Sequence, residues 1–155
     1  MEPNDVVVIG ASLAGLRACE TLRQEGYEGR ITLVGAESEM PYDRPPLSKK
    51  VLAGEWEPDR IRLRKPDDIA ALGLDLRLGV RATRLRSDDH VVELGEHGEI
   101  AYDGLVIATG AAPRRLPAQE PLDGLVELRT MADSLADRKS TRLNSSHGYI
   151  SYAVF

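Results

Sequence analysis

The stretch DVVVIGASLAG, Asp5–Gly15, decides the fold. Val6, Val7, Val8 and Ile9 form an unbroken β-branched run, the pattern of a strand buried on both faces. Gly10 then turns the chain, and an amphipathic helical pattern begins almost at once. The order strand, tight glycine turn, helix aims a helix N-terminus and its unpaired N–H groups at a phosphate. The pattern through Gly10, Ala11, Ser12, Ala14 and Gly15 is one residue away from G-x-G-x-x-G. Ser12 is the smallest substitute that keeps the backbone close to a diphosphate, and its hydroxyl adds a donor. A dinucleotide fingerprint also needs an acid about 20 residues further on, after a second strand. Glu37 stands there. A glycine loop in some other α/β protein is the plainer alternative. A serine nucleophile elbow is excluded, because Ala14 occupies the position it requires as glycine.

Outward from this motif, Leu13, Leu16, Cys19 and Leu22 or Arg23 follow helical spacing, with Arg17, Glu20 and Gln24 on the other side, and Gly26 is placed to end the helix. Ile31–Val34 reads as a second buried strand stopping at Gly35. Pro41–Trp56 (PYDRPPLSKKVLAGEW) has three prolines around Arg44 that hold the backbone stiff, with a short helix expected over Leu47–Leu52. A guanidinium on a rigid segment suits a diphosphate, which Arg grips bidentately. Lys49 is a mobile point charge. Arg60–Lys65 alternates arginines with Ile61 and Leu63, the pattern of a half-buried strand more than of a phosphate patch. Pro66 starts a short helix ending at Gly73, and Leu74, Leu76 and Leu78 alternate in a strand closed by Gly79. Val80–Arg86, His90–Leu94 and Glu99–Tyr102 read as strands joined by polar turns, an antiparallel meander. Leu105–Ala108 reads as the next parallel strand, ended by Thr109 and Gly110 at the carboxyl edge where such sheets bind ligands. Pro113–Pro121 is a connector, and Thr130-x-x-Asp133 is a capping box starting a helix at Met131.

The composition is that of an ordinary globular chain: 155 residues, 42% hydrophobic and 29% charged, with net charge −5. The acidic balance leaves no basic surface for nucleic acid. No apolar run approaches the roughly 18 residues of a membrane span, and no leader pattern opens the chain, so a cytoplasmic location is expected. Cys19 is the only cysteine, which excludes a disulfide framework and a C-x-x-C pair. The three histidines have no ligand-like spacing, so no metal site is expected.

VVVIGASLAGLRACETLR, ITLVGAE and PYDRPPLSK, in this order and spacing, resemble the N-terminal FAD domain of the ferredoxin reductase family. These flavoproteins include putidaredoxin, rubredoxin and aromatic-ring dioxygenase reductases. The resemblance continues through AYDGLVIATGAAPRRLP (Ala101–Pro117) and LVELRTMAD (Leu125–Asp133), covering about Asp5 to Ala136. It implies an α/β, Rossmann-like FAD-binding domain, a parallel sheet plus an antiparallel β-meander, present here incompletely. NAD(P)H would give a hydride to the flavin, which would pass single electrons to a ferredoxin-type iron–sulfur protein. Gly10–Gly15 would then surround the FAD diphosphate, with Ala14 near the adenosine side, and Glu37 would bind the ribose. Family members often carry that acid one position earlier, where this chain has Ala36. Arg44 would pair with the diphosphate, and Lys49, the residue expected nearest the chemistry, would sit by the reactive edge of the isoalloxazine. Ala82 would contact adenine through its backbone, Thr109 and Gly110 would line the sheet edge, and Arg129 would contact the phosphates. A NAD-binding Rossmann dehydrogenase and a non-catalytic module of the same fold are the alternatives.

The expected organisation is a partial FAD-binding domain over 1–117 and a connector over 118–136, leading towards an NAD(P)-binding domain that is missing. No second glycine fingerprint follows Ala136. From Asp137 the composition shifts, and DRKSTRLNSSH and ISYAVF both back-translate into a widely used short-read sequencing adapter. Residues 137–155 are therefore expected to be a non-native tail that does not fold with the rest.

Overall fold

A computed structural model describes residues 3–114 and 126–144, and no side chain beyond 140. Parts of the Pro113–Pro121 and Leu125–Asp133 segments, and the tail from 145, lie outside the described residues. The described residues fall into two compact units, one of residues up to 42 together with 62–110, the other of 43–61 with the residues after 110.

In the first unit, strand β1 (Asp5–Ile9) leads into helix α1 (Leu13–Gln24) and then β2 (Arg30–Gly35). A short helix α2 (Pro66–Ala70) precedes β3 (Asp75–Leu78). Three short strands follow, β4 (Arg84–Arg86), β5 (Val91–Glu93) and β6 (Glu99–Ala101), and then β7 (Gly104–Ile107). A parallel sheet has the order β3-β2-β1-β7, and an antiparallel sheet the order β4-β5-β6.

The β-branched run of β1 is buried on both faces, and its alternation assigns each residue a side. Val6 and Val8, with Ile31 and Leu33 of β2, pack in one core with Cys19 and Leu22 of α1. Val7, Ile9 and Val34 pack in a second core with Val92 and Leu94 of the meander. A helix covers one face of the parallel sheet and the meander the other. A strand with no solvent face needs no polar positions, which is why β1 reads as a continuous apolar run.

Two local expectations for this unit change. The strand over Val80–Arg86 shortens to β4, because the Val80 N–H donates to the Gly35 carbonyl at 2.8 Å and so follows the end of β2 before reaching the meander. Arg60–Lys65 is not a strand: Arg62 makes a single bridge with Tyr42, and Arg64 Nε turns to Glu20 Oε1 at 2.8 Å. Glu20, only 7% exposed, also takes Arg17 Nη1 at 2.6 Å, so a buried carboxylate of α1 holds two guanidiniums.

The second unit holds the proline turn and helix α3 (Met131–Asn144). The helix expected over Leu47–Leu52 is instead a 3-10 turn at Pro45–Ser48 followed by looser turns. The Lys49 and Val51 N–H groups both donate to the Pro46 carbonyl, at 3.1 and 3.0 Å, so the 3-10 turn passes into irregular structure. Helix α3 begins where the capping box places it and runs unbroken across Asp137. Arg138 pairs with Glu57 at 3.1 Å with its side chain 15% exposed, so the start of the unusual tail does pack with the chain. Polar residues such as Arg138 and Lys139 are good helix formers, so a change of composition does not end a helix.

Candidate functional site

In a parallel sheet the loops after adjacent strands emerge on one edge, and here those loops carry most of the expected site. Ile9 is level with Val34 of β2 and with Ile107 of β7. Gly10, Glu37 and Thr109 therefore leave the sheet side by side. The Gly10 N–H donates to the Val34 carbonyl at 2.8 Å and the Ala108 N–H to the Ile9 carbonyl at 2.7 Å, fixing both loops to β1.

Two glycines make the turn possible. Gly10 has φ +116°, and a Cβ there would lie 2.1 Å from the Ala108 carbonyl oxygen. Gly15 lies in the first turn of α1, where a Cβ would fall 1.9 Å from the Gly10 carbonyl oxygen. The helix start is thus pressed directly against the turn it leaves. Ser12 is the N-cap, in extended conformation (φ −128°, ψ −161°), and its side chain makes no capping bond. The N–H groups of Leu13, Ala14 and Gly15 have no intrahelical partner by helix geometry, and no acidic side chain occupies this turn. Open N–H groups, a positive dipole end and no nearby carboxylate on the turn fit an anionic group such as a diphosphate. Gly10 and Gly15 have no room for a Cβ because the turn, the loop after β7 and the helix start approach one another closely, the tight turn and close packing that a dinucleotide fingerprint requires of its first and last glycines.

Glu37 is half-buried and accepts a short hydrogen bond from the Tyr42 hydroxyl. Its carbonyl takes the Gly79 N–H at 2.8 Å, joining the ends of β2 and β3. Ala82 lies in the irregular stretch beyond Gly79, half-buried against the meander core, and its backbone makes no hydrogen bond among the described residues. A peptide left open in this way can serve as the backbone contact expected there. Thr109 and Gly110 follow β7 and are exposed. Gly10, Ala11, Ser12, Ala14, Gly15, Glu37, Ala82, Thr109 and Gly110 all belong to the first unit.

Arg44, Lys49 and Arg129 belong to the second unit. Arg44 is half-buried, and its Nη1 donates to the Arg129 carbonyl oxygen at 2.8 Å. Arg129 meets Arg44 through its backbone, a role its guanidinium does not reveal in the sequence. Lys49 closes the 3-10 turn and is exposed. The capping box forms as expected: Thr130 Oγ1 accepts the Asp133 N–H at 3.2 Å, and Asp133 Oδ2 accepts the Thr130 and Arg129 N–H groups at 2.7 and 3.0 Å. Burial pushes the Asp133 carboxyl up, but these hydrogen bonds outweigh it and hold the group below its ordinary value.

Sequence reading missed Tyr42 as the partner of Glu37, and Asp133 and Ser134 as supports of the proline turn. An aromatic hydroxyl five positions after an acid carries no periodic signal, and Ser134 meets Leu47 only in the folded chain. A crevice of about 200 Å³ between the two sheets is lined by Asp5, Arg30, Thr32 and Arg77 among others. Its charges answer one another, Arg30 with Asp5 at 2.6 Å and Arg77 with Asp75 at 2.9 Å, so it offers a ligand little. Cys19 is fully buried, and burial pushes its thiol up to about 11, the state of an inert packing residue. No group of His, Cys, Asp and Glu among the described residues could hold a metal ion.

Several known proteins resemble this chain over most of its length. The ferredoxin–NAD(+) reductase subunit of the benzene 1,2-dioxygenase system of Pseudomonas putida is 41% identical over 132 residues, 84% of this chain and 32% of its own length. Putidaredoxin reductase of the same organism is 39% identical over 144 residues, 90% of this chain and 34% of its own length. The crystal structure of the covalent putidaredoxin reductase–putidaredoxin complex superposes with a TM-score of 0.80 at 38% identity, covering 88% of this chain and 34% of that one. The ferredoxin reductase for the CYP199A2 system of Rhodopseudomonas palustris gives 0.82 at 31% identity, covering 90% and 34%. The chain spans about a third of the length of the curated relatives it matches. The family model for pyridine nucleotide-disulphide oxidoreductases matches residues 4–146, which takes in the glycine turn, the proline turn and the capping box alike. With a family model matching residues 4–146, the chain belongs to the pyridine nucleotide-disulphide oxidoreductase family.

Proposed function

We propose that this chain is the FAD-binding N-terminal part of a flavoprotein reductase. The whole protein takes a hydride from NAD(P)H and passes electrons to a ferredoxin-type iron–sulfur protein. The observation that carries the reading is the start of α1, with open N–H groups set against the Gly10 turn so closely that Gly15 has no room for a Cβ. The names of the relatives, ferredoxin–NAD(+) reductase and putidaredoxin reductase, support the reaction class.

Gly10, Ala11, Ser12, Ala14 and Gly15 hold the FAD diphosphate, and Arg44 adds its guanidinium, with Arg129 alongside. Glu37, aligned by Tyr42, takes the adenosine ribose, and Ala82 meets the adenine through its backbone. Thr109 and Gly110 line the sheet edge, and Lys49 steadies negative charge at the isoalloxazine. Bound FAD supplies the redox chemistry, accepting two electrons with a hydride and releasing them one at a time. None of the assigned residues is a nucleophile or general base, as suits residues that bind and orient a cofactor. No described helix is long and apolar enough to cross a membrane, and a cytoplasmic protein fits this reading.

The reading also keeps residues 1–117 as a partial FAD domain, 118–136 as a connector and 137–155 as a tail of non-native origin. The nucleotide sequence of the gene tests the last point: codons unlike the adapter's would end it. FAD and NAD titrated separately against the chain test the site itself. FAD should bind, weakly for a partial site, and NAD should not. Binding of NAD without FAD would favour a dehydrogenase and refute the proposal. The reaction is tested on the reading frame extended beyond Ala136, as NADH- or NADPH-dependent reduction of a ferredoxin.

A further inference from the structure

A chain of hydrogen bonds within the second unit ends on Arg44. Asp133 Oδ2 accepts the backbone N–H groups of Arg129, at 3.0 Å, and of Thr130, at 2.7 Å. These bonds hold both peptides that flank Arg129 in one orientation. The Arg129 carbonyl oxygen takes Arg44 Nη1 at 2.8 Å. Next to Asp133, the fully buried Ser134 donates its Oγ to the Leu47 carbonyl at 2.8 Å, so the proline turn is tied to the same helix start a second time. Arg44 and Arg129 lie 85 positions apart in the chain, and no local propensity sets this contact.

We propose that Asp133 is a positioning residue for Arg44: by locking the backbone around Arg129 it fixes the carbonyl that directs the guanidinium. A long flexible side chain ordered only on binding costs affinity, while one ordered beforehand does not. Proline restricts the backbone around Arg44, and the Arg129 carbonyl restricts its side chain. The inference rests on the assignment of Arg44 to the FAD diphosphate.

The test is a double-mutant cycle on the full chain, with FAD affinity read by quenching of flavin fluorescence. Arg44→Ala should weaken FAD. Asp133→Ala should weaken it about tenfold when Arg44 is present, and leave it within about twofold when Arg44 has already been replaced. Thr130→Val serves as the structural control. It deletes the cap bond to the Asp133 N–H but leaves the Asp133 carboxylate on the Arg129 and Thr130 N–H groups, so FAD affinity should stay within about twofold. Equal weakening by Asp133→Ala in both backgrounds, or none in either, overturns the proposal. The assignment of Arg44 to the diphosphate fails separately, if Arg44→Ala leaves FAD affinity unchanged. The positioning step is then decided without flavin, by NMR of the Arg44 guanidinium. Hindered rotation about its Cζ–Nη bond in the native chain, lost in Asp133→Ala and retained in Thr130→Val, supports it, and rotation unaffected by Asp133→Ala overturns it.

Discussion

Replacing Gly15 with alanine sets two effects of opposite sign against each other. Gly15 is a helical residue, and alanine in an ordinary helical position is favoured by about 1 kcal/mol. The new Cβ, however, would sit 1.9 Å from the Gly10 carbonyl oxygen, 3.1 Å from its carbon and 3.4 Å from Leu33 Cδ1. A carbon and an oxygen normally approach no closer than about 3.3 Å, so the overlap is about 1.4 Å. No rotamer relieves it, because the obstructing atoms are backbone and the Gly10 turn is bonded to Val34 on one side. Moving α1 away from the turn disturbs the core it shares with Val6, Val8 and Leu33. Overpacking of this kind costs about 1–3 kcal/mol, and more where the backbone must shift. The overlap is with backbone, which places the cost at the upper end of that range, so the clash outweighs the propensity gain and a net loss of about 2 kcal/mol is expected. Urea unfolding followed by far-ultraviolet circular dichroism measures it as a lower midpoint at unchanged slope. FAD affinity should fall in parallel, since the displaced helix no longer presents its N–H groups. A Gly15→Ala chain as stable as the native one, or more so, would show that the close approach of helix and turn is not real.

Arg23 Nε donates to the Leu72 carbonyl at 2.8 Å, and Nη1 to the carbonyls of Tyr27 and Gly29 at 2.6 and 2.9 Å, tying the end of α1 to two loops. Arg23→Met should cost about 1.5–3 kcal/mol of unfolding free energy, and Arg23→Lys should recover only part of it, because a point charge cannot reach three divergent carbonyls. Equal stability of the methionine variant and the native chain would contradict this. The Asp133 carboxyl is held below its ordinary value of 3.8 in the folded chain, so its contribution to stability is complete above that pH and is lost as the pH falls through the lowered value. Asp133→Asn should therefore flatten part of the acid limb of a plot of melting temperature against pH, and an unchanged limb would speak against the hydrogen bonds that hold the carboxylate. Cys19, buried with its thiol raised to about 11, should react with a thiol reagent only in denaturant. Rapid stoichiometric labelling of the native chain would place Cys19 at the surface.

Local pattern by itself determined the frame. The β-branched run of β1, the glycine turn, the spacing of α1 and the strand of β2 all announce themselves within a few residues, because a chain buried on both faces must be apolar throughout and a helix with one buried face must repeat. The capping box at Thr130 and Asp133 was legible for the same reason: both ends of its hydrogen bonds lie within one turn. The arginine run at 60–65 misled, since its alternation matches a strand while Arg60 and Ile61 end a 3-10 turn (Pro58–Ile61) and Arg64 reaches a glutamate on α1. Tertiary structure alone decided what the charged and polar groups face. It set Arg64 on Glu20, the Tyr42 hydroxyl on Glu37, and the Arg44 guanidinium on a carbonyl far along the chain. Backbone periodicity follows from which face is buried, and burial leaves a repeating trace in the sequence. A hydrogen bond between distant side chains leaves none, because its partner is chosen by packing and many sequences would satisfy it equally well.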